Sequence, residues 1–377
     1  MLYYLCISIV IILMVLYIYY KLRYRFWSIQ PVFHIHNLRY WIKPIGIINK
    51  EKFKITKFYD YSIKTYKYND IPNDKRAMMV AFIKSNFLPN KHEKYDPTTN
   101  GIVNYYECHA TQPLISIKYD NIFKKSIASY MSSVPITFNL NGNKLDMHYV
   151  DYLCVHKNKR KQGMAPKIIY SHVINSEQYN RLYLFKAEGR STMIVPLTIY
   201  NNYMFDTTIW PIKKRYKNKP IKIIKINSSN YKLFIELIDN IYKNFKYIIM
   251  LNHSNIKHLC DNGILYIYIL MYNNKAITFY IFKNNFTTYN GDKSIELCGS
   301  SCNIEHNLFT YGFLCSYNKL KDILGFKYIF IENISNNNII LKHILNRYEP
   351  LNIIPTKYYL YNYAHMPIYS KNLICIV

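Results

Sequence analysis

Apolar side chains run unbroken through residues 1–20 (MLYYLCISIVIILMVLYIYY), a stretch with no charged residue. As a helix rising 1.5 Å per residue it reaches about 30 Å, the thickness of a bilayer's hydrocarbon layer. Lys21, Arg23 and Arg25 follow it directly. A signal peptide carries its positive charge first and ends in a small-residue cleavage site, so residues 1–22 read as an uncleaved anchor. Basic flanks stay on the cytoplasmic side, which predicts a single-pass membrane protein with a cytoplasmic body. A hydrophobic helix docked on the protein itself is the alternative.

Beyond the anchor the pattern changes. Residues 26–60 mix aromatic and basic positions with Pro31 and Pro44, which suits an extended arm. Met78–Phe87 carries helical periodicity, while the β-branched and aromatic runs Leu114–Tyr119, Ile127–Ser132 and Met147–Val155 predict strands. Ala165–Val173 predicts a helix whose first turn tolerates Pro166. In the second half, Ser229–Asn244 and Phe309–Ile323 predict helices and Tyr328–Glu332 a strand. Leu265–Tyr272 and Ala276–Phe282 predict a hairpin turning at Asn273 and Asn274. Strands and helices mix in each half, so the fold class is α+β, in two units of similar plan.

With 377 residues and 50% hydrophobic composition the chain can bury two cores of ordinary size. Its 49 Lys+Arg against 22 Asp+Glu give a formal charge of +27, a surface that attracts polyanions. The basic residues are spread along the chain, with no RNP-type aromatic motif, zinc-finger spacing or single basic tail, which argues against nucleic acid. An anionic lipid surface and the phosphates of a nucleotide cofactor remain. Eight cysteines, among them Cys298 and Cys302, form no paired CxxC spacing and no dense disulfide framework. No metal site is predicted.

The segment Val150–Pro166 (VDYLCVHKNKRKQGMAP) runs from an apolar strand through a basic loop into a helix. Free N–H groups at a helix start bind anions. Within it, Arg160 to Ala165 fits the R-x-x-G-x-A pattern of the acyl-CoA loop in acetyltransferase-like folds. The longer string resembles the NFLCVHKKxRxKxxAP signature of the glycylpeptide N-myristoyltransferases, with Leu153, Cys154, Val155, His156, Lys157, Arg160, Ala165 and Pro166 in register. Tyr24–Val32 (YRFWSIQPV) is similar to that family's YxFWxTQPV segment, and Tyr358–Asn362 (YYLYN) to its YYLYNW. Weaker echoes lie at Ser126–Pro135, Phe279-Tyr280 and Gly325-Phe326.

The resemblance covers about residues 24–377 and implies two pseudo-symmetric GNAT-like acyltransferase halves sharing a saddle-shaped mixed sheet: 23–205 for acyl-CoA and 206–377 for peptide. It implies transfer of a fatty acyl group, myristoyl above all, from acyl-CoA to an N-terminal glycine, with no permanently bound cofactor and the protein acting as a monomer. The backbone N–H groups of Tyr152 and Leu153 would form an oxyanion hole and the Val377 α-carboxylate would be the base. Asp151, where the family has Asn, would bind the amine by charge or pair with a neighbouring Lys. Tyr24, Arg25, Phe26, Trp27, Asn86, Phe87 and Leu88 would contact acyl-CoA, with Leu153, Cys154, Val155, Arg160, Lys161, Gln162, Gly163, Met164, Ala165 and Pro166. Tyr200, Asn202, Phe279 and Tyr280 would meet the peptide.

The family's YTAG, whose Thr helps orient the substrate amine, reads Tyr183-Leu184-Phe185-Lys186 here, and its acidic loop reads Asn86–His92 without the charge. These departures favour a second possibility, a catalytically inactive acyl-CoA or lipidated-peptide binder at a membrane. A structural membrane protein whose basic face holds anionic lipid or nucleic acid, with no acyl-CoA pocket, is a third.

Overall fold

The computed structural model describes residues 2–87, 93–120, 126–189, 193–210 and 221–377. Its first helix, α1 (Leu2–Arg23), stands almost entirely outside the body: from Tyr3 to Arg23 every residue but Tyr20 is exposed. It is, among the described residues, the one helix long and apolar enough to cross a membrane. The arm after it is irregular, interrupted by the short α2 (Leu38–Ile42), as Pro31 and Pro44 dictate. Helices α3 (Asn73–Asn86), α4 (Thr99–Val103) and α5 (Met164–Ser176) belong to the first half; α6 (Lys232–Asn244), α7 (His253–Asp261), α8 (His306–Leu324) and α9 (Asn337–Leu345) to the second.

Among the described residues one 16-stranded mixed sheet runs through both halves. In the first, strands 64–67, 114–119, 127–140 and 143–155 pair antiparallel in turn, then α5 crosses to a parallel strand at 183–188. The second repeats the plan: strands 221–225, 265–272, 275–283 and 292–301 pair antiparallel, then α8 crosses to a parallel strand at 328–332. This repetition gives the α+β class of two pseudo-symmetric halves its structural content. Strand 352–361 lies between 183–188 and 198–206, and 198–206 pairs with 328–332, closing the seam. The halves therefore interlock instead of meeting as separate bodies.

Local chemistry explains the elements. Asn273 and Asn274 turn the hairpin with φ of 48° and 60°, the positive values such a turn needs and Asn tolerates. Gly325 ends α8 in the left-handed conformation. Helix α8 buries Phe309, Phe313, Tyr317 and Leu320 on Phe282, Ile295 and Ile329, a second-half core. Under α5, Ser116 Oγ lies 2.8 Å from His172 Nδ1, His172 Nε2 2.9 Å from Ser133 Oγ, and that hydroxyl 3.0 Å from His148 Nδ1, a buried polar chain satisfied within itself.

Candidate active site

The site starts from an irregularity in pairing. Ser132 faces Asp151 and Tyr130 faces Cys154, so Tyr152 and Leu153 stand opposite Met131 alone. Two residues against one make a β-bulge, which leaves the extra residue outside the ladder. Tyr152 takes φ 49°, a costly angle for a side chain of this size. Packing holds it there: its ring meets Phe87, Tyr105 and Tyr95 at 5.3, 5.8 and 6.0 Å, and its hydroxyl lies 2.8 Å from that of Tyr95. The Tyr152 N–H, turned out by the bulge, donates to Asp151 Oδ1 at 2.7 Å.

Downstream, the basic loop bends through positive φ at Lys161 (61°) and Gly163 (73°) and opens α5. Gly163 provides no side-chain cap, so the first N–H groups of α5 are free to meet an anion. Arg160 fastens the loop: its Nη2 donates to the Asn86 carbonyl at 2.7 Å and its Nε to Val155 O at 3.2 Å. Asn86 Oδ1 accepts from Lys157 N at 3.1 Å. Between them is a cavity of about 500 Å³ lined by Asn86, Phe87, Leu153–Val155, Lys159–Lys161 and Gly163–Pro166.

Through Phe87 and Leu153 this cavity meets an apolar one of about 410 Å³ whose walls include Trp27, Met131, Ile169, Val173 and Phe185. Trp27 stacks on Phe185 at 5.5 Å in the wall, and Phe185 stacks on Tyr359 behind it at 5.2 Å. A third cavity, about 260 Å³ and polar, shares Phe87, Tyr149, Asp151, Tyr152, Lys186 and Glu188 with the apolar one and adds Glu93, Glu296, Asn202 and Lys283.

That polar cavity rests on buried charge. Lys186 Nζ lies 2.6 Å from Glu332 Oε1 and 3.5 Å from Glu296 Oε1. Tyr200 O–H donates to Glu332 at 2.7 Å and Asn202 Nδ2 to Glu296 at 3.1 Å. Burial works against the Lys186 charge, yet the two glutamates raise its pKa well above the ordinary value. Burial also lifts the Asp151 carboxyl above the usual carboxylate range, against the pull of Lys283. Lys283 Nζ itself donates to the Val377 main-chain oxygen at 2.9 Å.

Of the residues singled out from sequence, Trp27, Asn86, Phe87, Leu153, Cys154, Val155, Arg160, Lys161, Gly163, Met164, Ala165 and Pro166 line the first two cavities, and Asp151, Tyr152 and Asn202 the polar one. Gln162 folds back onto Asn158 O. Phe26 is buried against Phe58, the Tyr24 ring leans on Tyr20 at 5.6 Å and Arg25 is exposed. Leu88 lies outside the described residues. Phe279 and Tyr280 are not brought to a cavity: both are buried, Phe279 against Phe234 and Tyr280 with its hydroxyl on Phe309 O, because that strand runs beneath α6 and α8. Val377 is buried at the end of strand 373–376 and touches the polar cavity through Lys283. Tyr200 reaches it through Glu332 and Lys186.

Lys186, Glu188, Glu296 and Glu332 escape motif reading, although each carries a trace in the chain. Each stands next to apolar residues in a strand, as Glu332 does at the end of Tyr328–Glu332 and Glu296 between Ile295 and Leu297, where an unpaired charge would be prohibitive.

Residues 47–177 match the family model Myristoyl-CoA:protein N-myristoyltransferase, N-terminal domain. No curated protein matches the chain in sequence. Two solved structures of Saccharomyces cerevisiae N-myristoyltransferase with bound myristoyl-CoA share the fold, each with a TM-score of 0.71. They are 14% and 13% identical to this chain, each covering 92% of it and, respectively, 94% and 90% of the yeast chain. Residues 47–177 are thus an acyltransferase domain of the N-myristoyltransferase type, set in a chain that has the N-myristoyltransferase fold over 92% of its length.

Proposed function

We propose that the protein is a divergent, membrane-anchored N-acyltransferase that moves a fatty acyl group, myristoyl foremost, from acyl-CoA to the N-terminal glycine of a protein, acting as a monomer. The observation that carries this reading is the continuity of the three cavities at the bulge. CoA phosphates suit the uncapped start of α5, the acyl chain the apolar cavity, and a cationic amine the polar cavity with its four carboxylates, Glu93, Asp151, Glu188 and Glu296. Their meeting point is where a thioester carbonyl would face the N–H groups of Tyr152 and Leu153.

In this scheme the deprotonated amine attacks the thioester carbonyl carbon and the C–N bond forms. The oxygen takes up negative charge, then the C–S bond breaks and the CoA thiolate leaves. The amine proton passes to a carboxylate, for which the Val377 terminus held by Lys283 is the candidate. Asp151 occupies the Tyr152 N–H in the ligand-free arrangement, so binding of the amine must draw the carboxylate away to free that donor. The same contact favours the second reading, a binder without turnover, in which Asp151 never lets go. Helix α1 anchors the body by spanning the bilayer, its apolar length and exposure being the support.

Radiolabelled acyl transfer to glycine-initiated peptides by the full-length chain in detergent tests the proposal. Transfer establishes the enzyme. Acyl-CoA binding, detected as thermal stabilisation by a non-hydrolysable analogue, without transfer from any chain length replaces it with the binder.

A further inference from the structure

The chain contains no acidic residue before Glu51, while Lys21 and Arg23 lie in the last turn of α1 and Arg25, Arg39, Lys43 and Lys50 between α1 and that point. The same segment exposes large apolar side chains that a water-facing surface would hide: Ile42 is 88% exposed, Leu38 73%, Ile29 48%, Ile35 46% and Trp41 38%. Four of these fall within eight residues of one another, on and beside α2, interleaved with Arg39 and Lys43.

Their position is fixed against the end of α1. The His36 ring lies 5.4 Å from Tyr17 and 5.3 Å from Tyr20, and the Tyr20 hydroxyl lies 2.8 Å from His34 Nδ1. Phe33 packs on Trp41 at 5.0 Å, and Trp41 Nε1 donates to Ile35 O at 3.0 Å. Residues 33–41 are therefore a rigid shoulder at the level where α1 passes from apolar to basic, which for a spanning helix is the height of the headgroups.

We propose that residues 35–47 form a second membrane contact, with α2 lying in the plane of an anionic leaflet. Leu38 and Ile42 enter the acyl boundary, Trp41 sits at headgroup level, and Arg39 and Lys43 meet lipid phosphates. The occupant is lipid because the patch continues the surface of α1, because its charge is uniformly positive, and because apolar and basic side chains alternate as they do in interfacial segments. The proposal rests on α1 spanning the bilayer. It adds an orientation: a spanning helix alone leaves the body free to swivel, whereas a second contact fixes which face meets the membrane. Trp27, a wall of the apolar cavity, lies between the two contacts.

Site-directed spin labelling of the full chain, reconstituted in phosphatidylcholine vesicles with and without phosphatidylserine, tests it. The exposed Cys6 and Cys108 are first replaced by Ser, then a label is placed through Leu13→Cys or Ile42→Cys. Accessibility to oxygen reports lipid and accessibility to a nickel chelate reports water. At residue 42 the oxygen-to-nickel ratio is expected to rise about fivefold when phosphatidylserine is added, the factor one basic side chain supplies near an anionic surface, and to fall back in Arg39→Gln/Lys43→Gln. A label at 13 in lipid with one at 42 freely open to nickel overturns the proposal and leaves the span standing. A label at 42 shielded from both reagents also overturns it, showing a protein cover. Residue 13 in water refutes the span, and the second contact that rests on it falls with it.

Discussion

Lys283 ties Val377 to the polar cavity: its ammonium donates to the Val377 main-chain oxygen at 2.9 Å and also lies among the groups that face Asp151. A cation beside a carboxylate lowers its basicity. In Lys283→Met the acidic limb of the kcat/KM profile is therefore expected to move to higher pH. Two glycines added after Val377 are expected to cut transfer at least a hundredfold, an effect of the size general-base loss produces, with acyl-CoA affinity unchanged. Transfer undiminished by the extension would remove Val377 from the chemistry.

Asp151→Asn keeps an oxygen for the Tyr152 N–H but removes the charge offered to the amine. The expected result is a peptide KM raised about tenfold, the loss of one charge-assisted contact, with acyl-CoA binding unaltered. A variant with unchanged KM at every pH would show that Asp151 only braces the bulge.

Arg160→Ala removes two hydrogen bonds that hold the basic loop to Asn86 and Val155. Acyl-CoA affinity is expected to fall about tenfold, with the peptide KM unmoved, in isothermal titration of the full chain in detergent.

The Lys186 cluster should behave as a unit. Lys186→Met leaves Glu332, whose side chain is 3% exposed, without its cation and is expected to destabilise the fold by about 3–5 kcal/mol. Adding Glu332→Gln, which still accepts from Tyr200, should restore most of that. Thermal unfolding of the single and double variants measures the difference.

Acid should weaken the core beneath α5. Burial holds His172 down to about 3 and His148 to about 4, from 6.5, each further lowered by a neighbouring histidine. The unfolded chain therefore takes up protons first. Stability from these groups is complete above pH 6.5 and is lost as pH falls toward 4 and then 3, at up to roughly 1.4 kcal/mol per pH unit for each ring. In His172→Gln the dependence of unfolding midpoint on pH should flatten over that range.

Elements with a local cause were legible in the chain. The run Leu114–Tyr119 is a strand with those bounds, and the Asn273-Asn274 hairpin forms where two residues tolerant of positive φ meet between apolar runs. The basic loop lines its cavity because a basic turn ending in glycine before a helix start is written in consecutive residues. What depends on distant partners was hidden. Strand 352–361 draws its place from neighbours at 183–188 and 198–206, about 150 residues earlier, and nothing in its own pattern names them. Phe279 and Tyr280 match a family string, yet whether an aromatic pair faces a groove or a core is set by α6 and α8 above it. The bulge at Tyr152 is likewise a property of two strands, invisible in either alone.

The hydroxyl of Tyr361 donates to Gln30 Oε1 across 331 positions of sequence, and Asn362 N donates to Pro31 O nearby. During synthesis Gln30 emerges early and its partner roughly 15 to 65 s later, at 5 to 20 residues per second. For that interval the aromatic arm behind α1 has no native surface to fold against. In the proposed membrane-anchored arrangement a ribosome docked at the membrane would hold it beside lipid throughout, and the bilayer taking up α1 would shelter the arm until the seam closes.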